Sequence, residues 1–73
     1  MNVVRGKVLK EAWQALRVGD HISDADLLAM HKQLKAAQPY LEDRLPEFYL
    51  AFCATNRDLV TIEGYIDARG LRR

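Results

Sequence analysis

The sequence contains a single cysteine in 73 residues, Cys53, so no disulfide can form within the chain. This excludes the disulfide-stapled folds of small secreted domains and is typical of a protein kept in a reducing compartment. We therefore expect a cytoplasmic protein. Cys53 lies between Phe52 and Ala54, and we expect it to be a small buried core residue and not a reactive thiol.

Long apolar runs are missing as well. Charged residues recur along the whole chain, so no segment of about 20 apolar residues is available to span a membrane. Lys10 and Glu11 interrupt the apolar residues near the N-terminus before the core of a signal peptide could develop. We expect neither a membrane-spanning segment nor a targeting signal.

A strong excess of one charge is also absent, since 11 Lys and Arg face 10 Asp and Glu and leave a net charge of +1. Dedicated nucleic-acid-binding proteins are usually more basic. The positive charges nevertheless concentrate towards the two ends of the chain. Nucleic-acid binding is therefore the alternative hypothesis for function, and it would use Arg5, Lys7, Lys10, Arg17, Arg69, Arg72 and Arg73.

No residue pattern indicates catalysis, a cofactor or a metal. A calcium loop starting at Asp20 would need glycine at its sixth position and glutamate at its twelfth, where Ala25 and His31 stand. We interpret the acidic residues there as helix-capping and solvated groups, and His31 as a hydrogen-bonded residue at the edge of an apolar stripe. The potential ligands of this segment are Asp20, His21, Asp24, Asp26 and His31.

Three neighbouring carboxylates, Glu42, Asp43 and Glu47, could form an acid–base pair only if one of them were desolvated in a cleft. A chain of this size has little volume for a cleft. Arg44 lies among them, and surface ion pairing is the interpretation that we favour. With no glycine-rich phosphate loop either, we expect no enzyme activity, no catalytic residue, no cofactor and no metal.

The clearest local signal is a helix start at Ser23, where Asp26 completes a capping box and Ile22 and Leu27 form a hydrophobic staple. Apolar residues repeat from there at spacings of three and four. Pro39 is expected to end or kink this helix near Ala37, because proline lacks the N–H that a helix interior needs. The predicted helix covers residues 24–37.

Two further helices are predicted at residues 3–18 and 46–69. Gly19 and Gly70 provide the left-handed residue at their C-terminal ends, with Pro46 at the first position of the last helix. The last helix carries an apolar stripe in which spacings of three and four alternate. Its members are Leu45, Phe48, Phe52, Thr55, Leu59, Ile62 and Ile66.

These elements predict one all-α domain over residues 1–73, as a small antiparallel three-helix bundle or a helical hairpin with a long C-terminal helix. At 1.5 Å per residue the last helix would be about 35 Å long and the second about 20 Å, so one neighbour cannot cover the stripe. A chain this short also buries a small fraction of its surface. We therefore expect a homo-oligomer, with a dimer as its simplest form.

The first functional hypothesis is accordingly a small non-enzymatic protein that acts through protein–protein interaction, as a regulator, inhibitor or adaptor. Such compact chains are frequent among accessory proteins of phages and mobile elements, which is an association with size alone. The partner-binding residues predicted on the last helix are Tyr49, Tyr65, Leu59, Ile62 and Ile66.

Residues 61–71 resemble the first helix and turn of a helix-turn-helix motif. In that family the second helix reads the bases, and here the sequence stops at Arg73 before a second helix. None of the family's base-reading residues therefore has a counterpart, and the resemblance implies no DNA-reading function.

Overall fold

A computed structural model describes the backbone of residues 2–71 and the side chains of residues 9–71. This part of the chain forms three helices, α1 (Asn2–Val18), α2 (Asp24–Glu42) and α3 (Tyr49–Ala68), and contains no strand. The predicted all-α class is confirmed. Within residues 2–71, no helix combines the length and the apolar character that crossing a bilayer requires.

The end of α1 lies at the predicted glycine. Gly19 has a φ of 81°, in the left-handed region that residues with a Cβ avoid. The N–H of Asp20 donates to the carbonyl of Ala15 at 2.9 Å, which is the closing bond of a Schellman motif. The chain then turns sharply enough for α2 to run back along α1.

The start of α2 confirms the predicted cap. The hydroxyl of Ser23 accepts a hydrogen bond from the backbone N–H of Asp26 at 3.2 Å, and Asp24 and Asp26 lie in the first turn, where the helix dipole favours negative charge. Ile22 and Leu27 are both buried in the core. Side-chain capping and apolar contact therefore fix the same helix start.

Replacing Ser23 with alanine is expected to destabilise the fold by about 1 kcal/mol, because one N-terminal N–H loses its acceptor. Ser23→Asp keeps an acceptor at the same place and should retain most of the stability. Urea denaturation followed by circular dichroism measures both variants. Equal stability of Ser23→Ala and the wild type would show that the cap contributes nothing.

The predicted end of α2 is wrong, because the helix continues through Pro39 to Glu42. Proline removes one backbone hydrogen bond, the one to the carbonyl of Lys35. Both residues are exposed, so water can satisfy that carbonyl. The amide of Gln38 also donates to the Asn56 side chain at 2.8 Å, which holds this end of α2 against α3. A tertiary contact thus outweighs a local helix-breaking signal.

The connector between α2 and α3 covers residues 43–48, and α3 begins at Tyr49 instead of the predicted Pro46. Successive turns close it through backbone bonds from Arg44 to Leu41 at 3.0 Å and from Phe48 to Arg44 at 3.2 Å. The Leu45–Pro46 peptide bond is cis. The first three residues predicted for α3 therefore belong to the connector.

The end of α3 is a second Schellman motif, as the sequence predicts. Gly70 has a φ of 69°, and its N–H donates to the carbonyl of Asp67 at 3.1 Å. The N–H of Leu71 donates to the carbonyl of Ile66 at 3.0 Å, and the Leu71 side chain packs against the core that contains Ile66. The glycine and the apolar pair together stop the helix after Ala68.

The helix α2 lies in the middle and packs against both other helices. It runs antiparallel to α3, with Asp24 opposite Arg69 and Gln38 opposite Asn56. On its other side, the indole N–H of Trp13 in α1 donates to the Gln33 side chain at 2.9 Å. The buried core joins all three helices and consists of Ala12, Ile22, Leu27, Met30, Leu34, Leu59, Ile62 and Ile66.

Candidate interaction surfaces

The largest apolar exposure lies where α2, the connector and α3 meet. Leu50 is 81% exposed, and Tyr40, Leu45 and Tyr49 also have more than a third of their surface in solvent. These residues and the half-buried Phe48 lie at the same end of α2 and α3, and we call them together the connector surface. The buried core lies further along α2 and α3, so none of the described residues covers the end of these two helices at the connector.

Part of the connector surface is held in place by ring contacts. The rings of Tyr40 and Phe48 stack with centroids 6.5 Å apart and planes at 20°. The guanidinium carbon of Arg44 lies 3.6 Å from the Tyr40 ring centroid, and its Nη1 donates to the Tyr40 carbonyl at 2.9 Å. Arg44 therefore packs on an aromatic ring, whereas the sequence led us to expect pairing with the nearby carboxylates.

Cys53 is exposed, so the prediction of a buried core cysteine is wrong. Nine residues separate it from the buried Ile62, which is two and a half turns of helix, so the two lie on opposite sides of α3. The side-chain hydrogen bond between Tyr49 and Cys53, in which the phenol O–H donates, and the charge interaction between the two groups raise the pKa of Tyr49 above the usual tyrosine value.

A second surface is the groove between α1 and α3. These two helices both pack on α2, but their backbones do not come into contact with each other in the described part of the chain. The groove has a volume of about 310 Å³. It is lined by Trp13, Leu16, Arg17, Ala54, Arg57, Asp58, Thr61 and Tyr65.

Positive charge predominates at this groove. Arg17 on α1 and Arg57 on α3 are both exposed, and Asp58 is the acidic residue in its lining. Lys10 lies three residues before Trp13 and seven before Arg17, so it extends the same side of α1. The groove thus combines half-buried apolar groups with basic rims.

The predicted partner-binding residues divide into two groups. Tyr49 and Tyr65 are exposed, Tyr49 on the connector surface and Tyr65 in the groove. Leu59, Ile62 and Ile66 are buried against α2, where they form part of the chain's own core. The side chains of these three therefore belong to the chain's own core, and partner binding by the last helix stays a prediction.

Of the residues in the nucleic-acid hypothesis, Lys10, Arg17 and Arg69 have described side chains. Arg69 donates to the Ile22 carbonyl at 2.6 Å and pairs with Asp24 at 2.9 Å, so its charge is already partnered. Lys10 and Arg17 are exposed on α1. Arg72 and Arg73 lie outside the described residues, as do the side chains of Arg5 and Lys7.

Two of the potential ligands in the first loop and α2, His31 and Asp24, have structural partners. His31 Nε2 lies 2.9 Å from Glu63 Oε2, with both side chains half-buried, which confirms the expected hydrogen-bonded histidine. Asp24 pairs with Arg69. Across the side chains that the structure describes, no three His, Cys, Asp or Glu residues are placed to hold a metal ion.

Sequence reasoning missed most of the connector surface. Leu50 falls off the stripe of the last helix, and this off-stripe position was a usable signal of exposure. Tyr40 lies beyond the end predicted for α2 at residue 37, whereas the structure places it inside a longer α2. The groove could not be predicted from the sequence, because it depends on how α1 is oriented relative to α3.

The chain has no match among protein-family models, curated proteins or solved structures.

Proposed function

We propose that this chain is a small non-enzymatic interaction protein that self-associates through the connector surface. The observation that carries the proposal is the exposure of Tyr40, Leu45, Tyr49 and Leu50 at one end of the hairpin. Aromatic and leucine side chains gathered on an exposed patch are typical of protein contact surfaces. The thiol of Cys53 is free and exposed, which is compatible with a protein kept in a reducing compartment such as the cytoplasm.

A second copy is the simplest occupant of the connector surface. A twofold axis brings the same patch from both copies together, so an apolar patch meets an apolar patch without further requirements. The stacked Tyr40 and Phe48 rings are already ordered, which lowers the entropy cost of association. Regulation, inhibition or adaptor activity would then be exerted by this dimer on other proteins.

Nucleic-acid binding has less support from the described residues. Arg69 is neutralised by Asp24, and the basic groove carries the carboxylate of Asp58 in its lining. Phosphate binding draws its affinity from several unpaired cations acting together. Lys10, Arg17 and Arg57 are exposed cations near the groove that could still serve this role.

The proposal is tested with Leu50→Glu, measured by sedimentation equilibrium at micromolar concentrations. The wild type is expected to be a dimer and Leu50→Glu a monomer, because two charges would be buried opposite each other at the interface. Leu50 is 81% exposed, so the fold should be unaffected. Circular dichroism checks this, since the helical signal should stay unchanged.

Leu28→Glu is the matched control. Leu28 is an exposed leucine on α2 and lies outside the connector surface. This variant should remain dimeric. A wild type that sediments as a monomer throughout the concentration range would refute self-association, and a dimer that survives Leu50→Glu would place the interface elsewhere.

A further inference from the structure

We propose that the groove between α1 and α3 binds an amphipathic helix of a partner protein whose apolar stripe is flanked by Asp and Glu. The groove is separate from the connector surface and rests on different observations. Dimer formation and helix binding can therefore fail independently of each other.

The arrangement of the helices leaves room for a fourth. Gln33 of α2 contacts Trp13 of α1, whereas His31 and Gln38 of α2 contact α3, so the two neighbours lie on different sides of α2. In a compact three-helix bundle, α1 and α3 would also contact each other. Here their separation leaves an open groove of about 310 Å³, and a helix laid along it would complete a four-helix arrangement.

The lining fits the apolar side of such a helix. Trp13, Leu16 and Ala54 provide half-buried apolar surface, with Tyr65 exposed at one end. Trp13 is fixed by its hydrogen bond to Gln33 at 2.9 Å, so it presents a defined face. Ordered aromatic groups of this kind are frequent anchors in helix-in-groove recognition.

The charges select an acidic helix. Arg17 stands on the α1 wall and Arg57 on the α3 wall, both exposed, and Lys10 continues the α1 rim. Asp58 is the acidic residue in the lining, and its side chain is half-buried. Acidic side chains on both flanks of a docked helix would meet these cations, whereas basic flanks would be repelled.

Trp13 is the chain's single tryptophan and lies in the groove, so its fluorescence reports occupancy directly. The experiment selects binders from a displayed library of helical peptides that share an apolar stripe and have randomised flanking positions. We expect the selected peptides to be enriched in Asp and Glu and to shift Trp13 emission to shorter wavelength on binding. Peptides without an acidic bias would overturn the proposal.

A charge reversal makes the test specific. Arg57→Glu should weaken the best acidic peptide about tenfold, and a peptide with lysine in place of its acidic flanks should recover binding to this variant. Lys32→Glu is the matched control, because Lys32 is exposed on α2 and absent from the groove lining. Equal affinity of the acidic peptide for wild type and Arg57→Glu would overturn the proposal.

Two other occupants are outcomes of the same experiment. If the groove holds a second copy, Arg57→Glu will abolish the dimer in sedimentation and the peptides will dissociate it. If it holds nucleic acid, a DNA duplex at low salt will shift Trp13 emission and displace the peptides. Either result would overturn the assignment to an acidic partner helix.

Discussion

Replacing Leu59 with aspartate is expected to unfold the chain. Leu59 is buried at the interface between α2 and α3. Loss of its side chain costs about 2–5 kcal/mol. The unpaired carboxylate adds a desolvation penalty of several kcal/mol. A 73-residue chain has a total stability of about 4–11 kcal/mol, so the combined loss is comparable to the whole.

The measurement is a thermal melt followed by circular dichroism, with Val60→Asp as the control. Val60 is the next residue on the same helix and is 72% exposed, so the same substitution there should leave the helical signal and the midpoint nearly unchanged. A cooperative melt of Leu59→Asp near the wild-type temperature would contradict the packing described above.

Replacing Arg69 with alanine is expected to lower the free energy of unfolding by about 2 kcal/mol, the range for hydrogen bonds made by charged groups. Its guanidinium donates to the Ile22 carbonyl at 2.6 Å and to Asp24 at 2.9 Å. It therefore ties the last turn of α3 to the α1–α2 loop, 47 residues away in sequence. Most of the lost stability should come from the hydrogen bond to the Ile22 carbonyl, because Asp24 is exposed and its ion pair with Arg69 is screened by solvent.

Arg57→Ala is the matched control for this prediction. Arg57 is an exposed arginine on the same helix, and its side chain lines the groove without supporting the core. Urea denaturation should show a lower midpoint for Arg69→Ala and nearly wild-type behaviour for Arg57→Ala. If both variants lose the same stability, the effect would be a general one of removing arginine from α3.

The local helix signals of the sequence were reliable where the determining atoms are close in the chain. Ser23 caps α2 through a backbone N–H three residues away, and Gly19 and Gly70 end α1 and α3 with φ values that other residues avoid. The buried members of the last stripe, Leu59 and Ile62 among them, were also identified by their spacing. Each of these features depends on a handful of consecutive residues.

The sequence-based predictions were wrong where contacts between residues distant in the chain determine the structure. Pro39 sits inside α2 because α3 supports that end of the helix, and Cys53 is exposed because α2 covers only the opposite side of α3. Tyr49 was correctly placed off the apolar stripe, but which protein surface it joins depends on the connector. Sequence periodicity shows which side of a helix is apolar, and it carries no information on how far a neighbour extends along that side.

The sequence alone therefore determined the number of helices, the helix ends at Gly19, Ser23 and Gly70 and the residues available for the core, because hydrogen bonds and side-chain spacing within a few turns fix these features. The tertiary structure decided which apolar residues remain in solvent and that α1 and α3 stay apart on α2. The connector surface and the basic groove both follow from that packing. Packing depends on how whole helices fit against one another, so residues far apart in the chain decide it together.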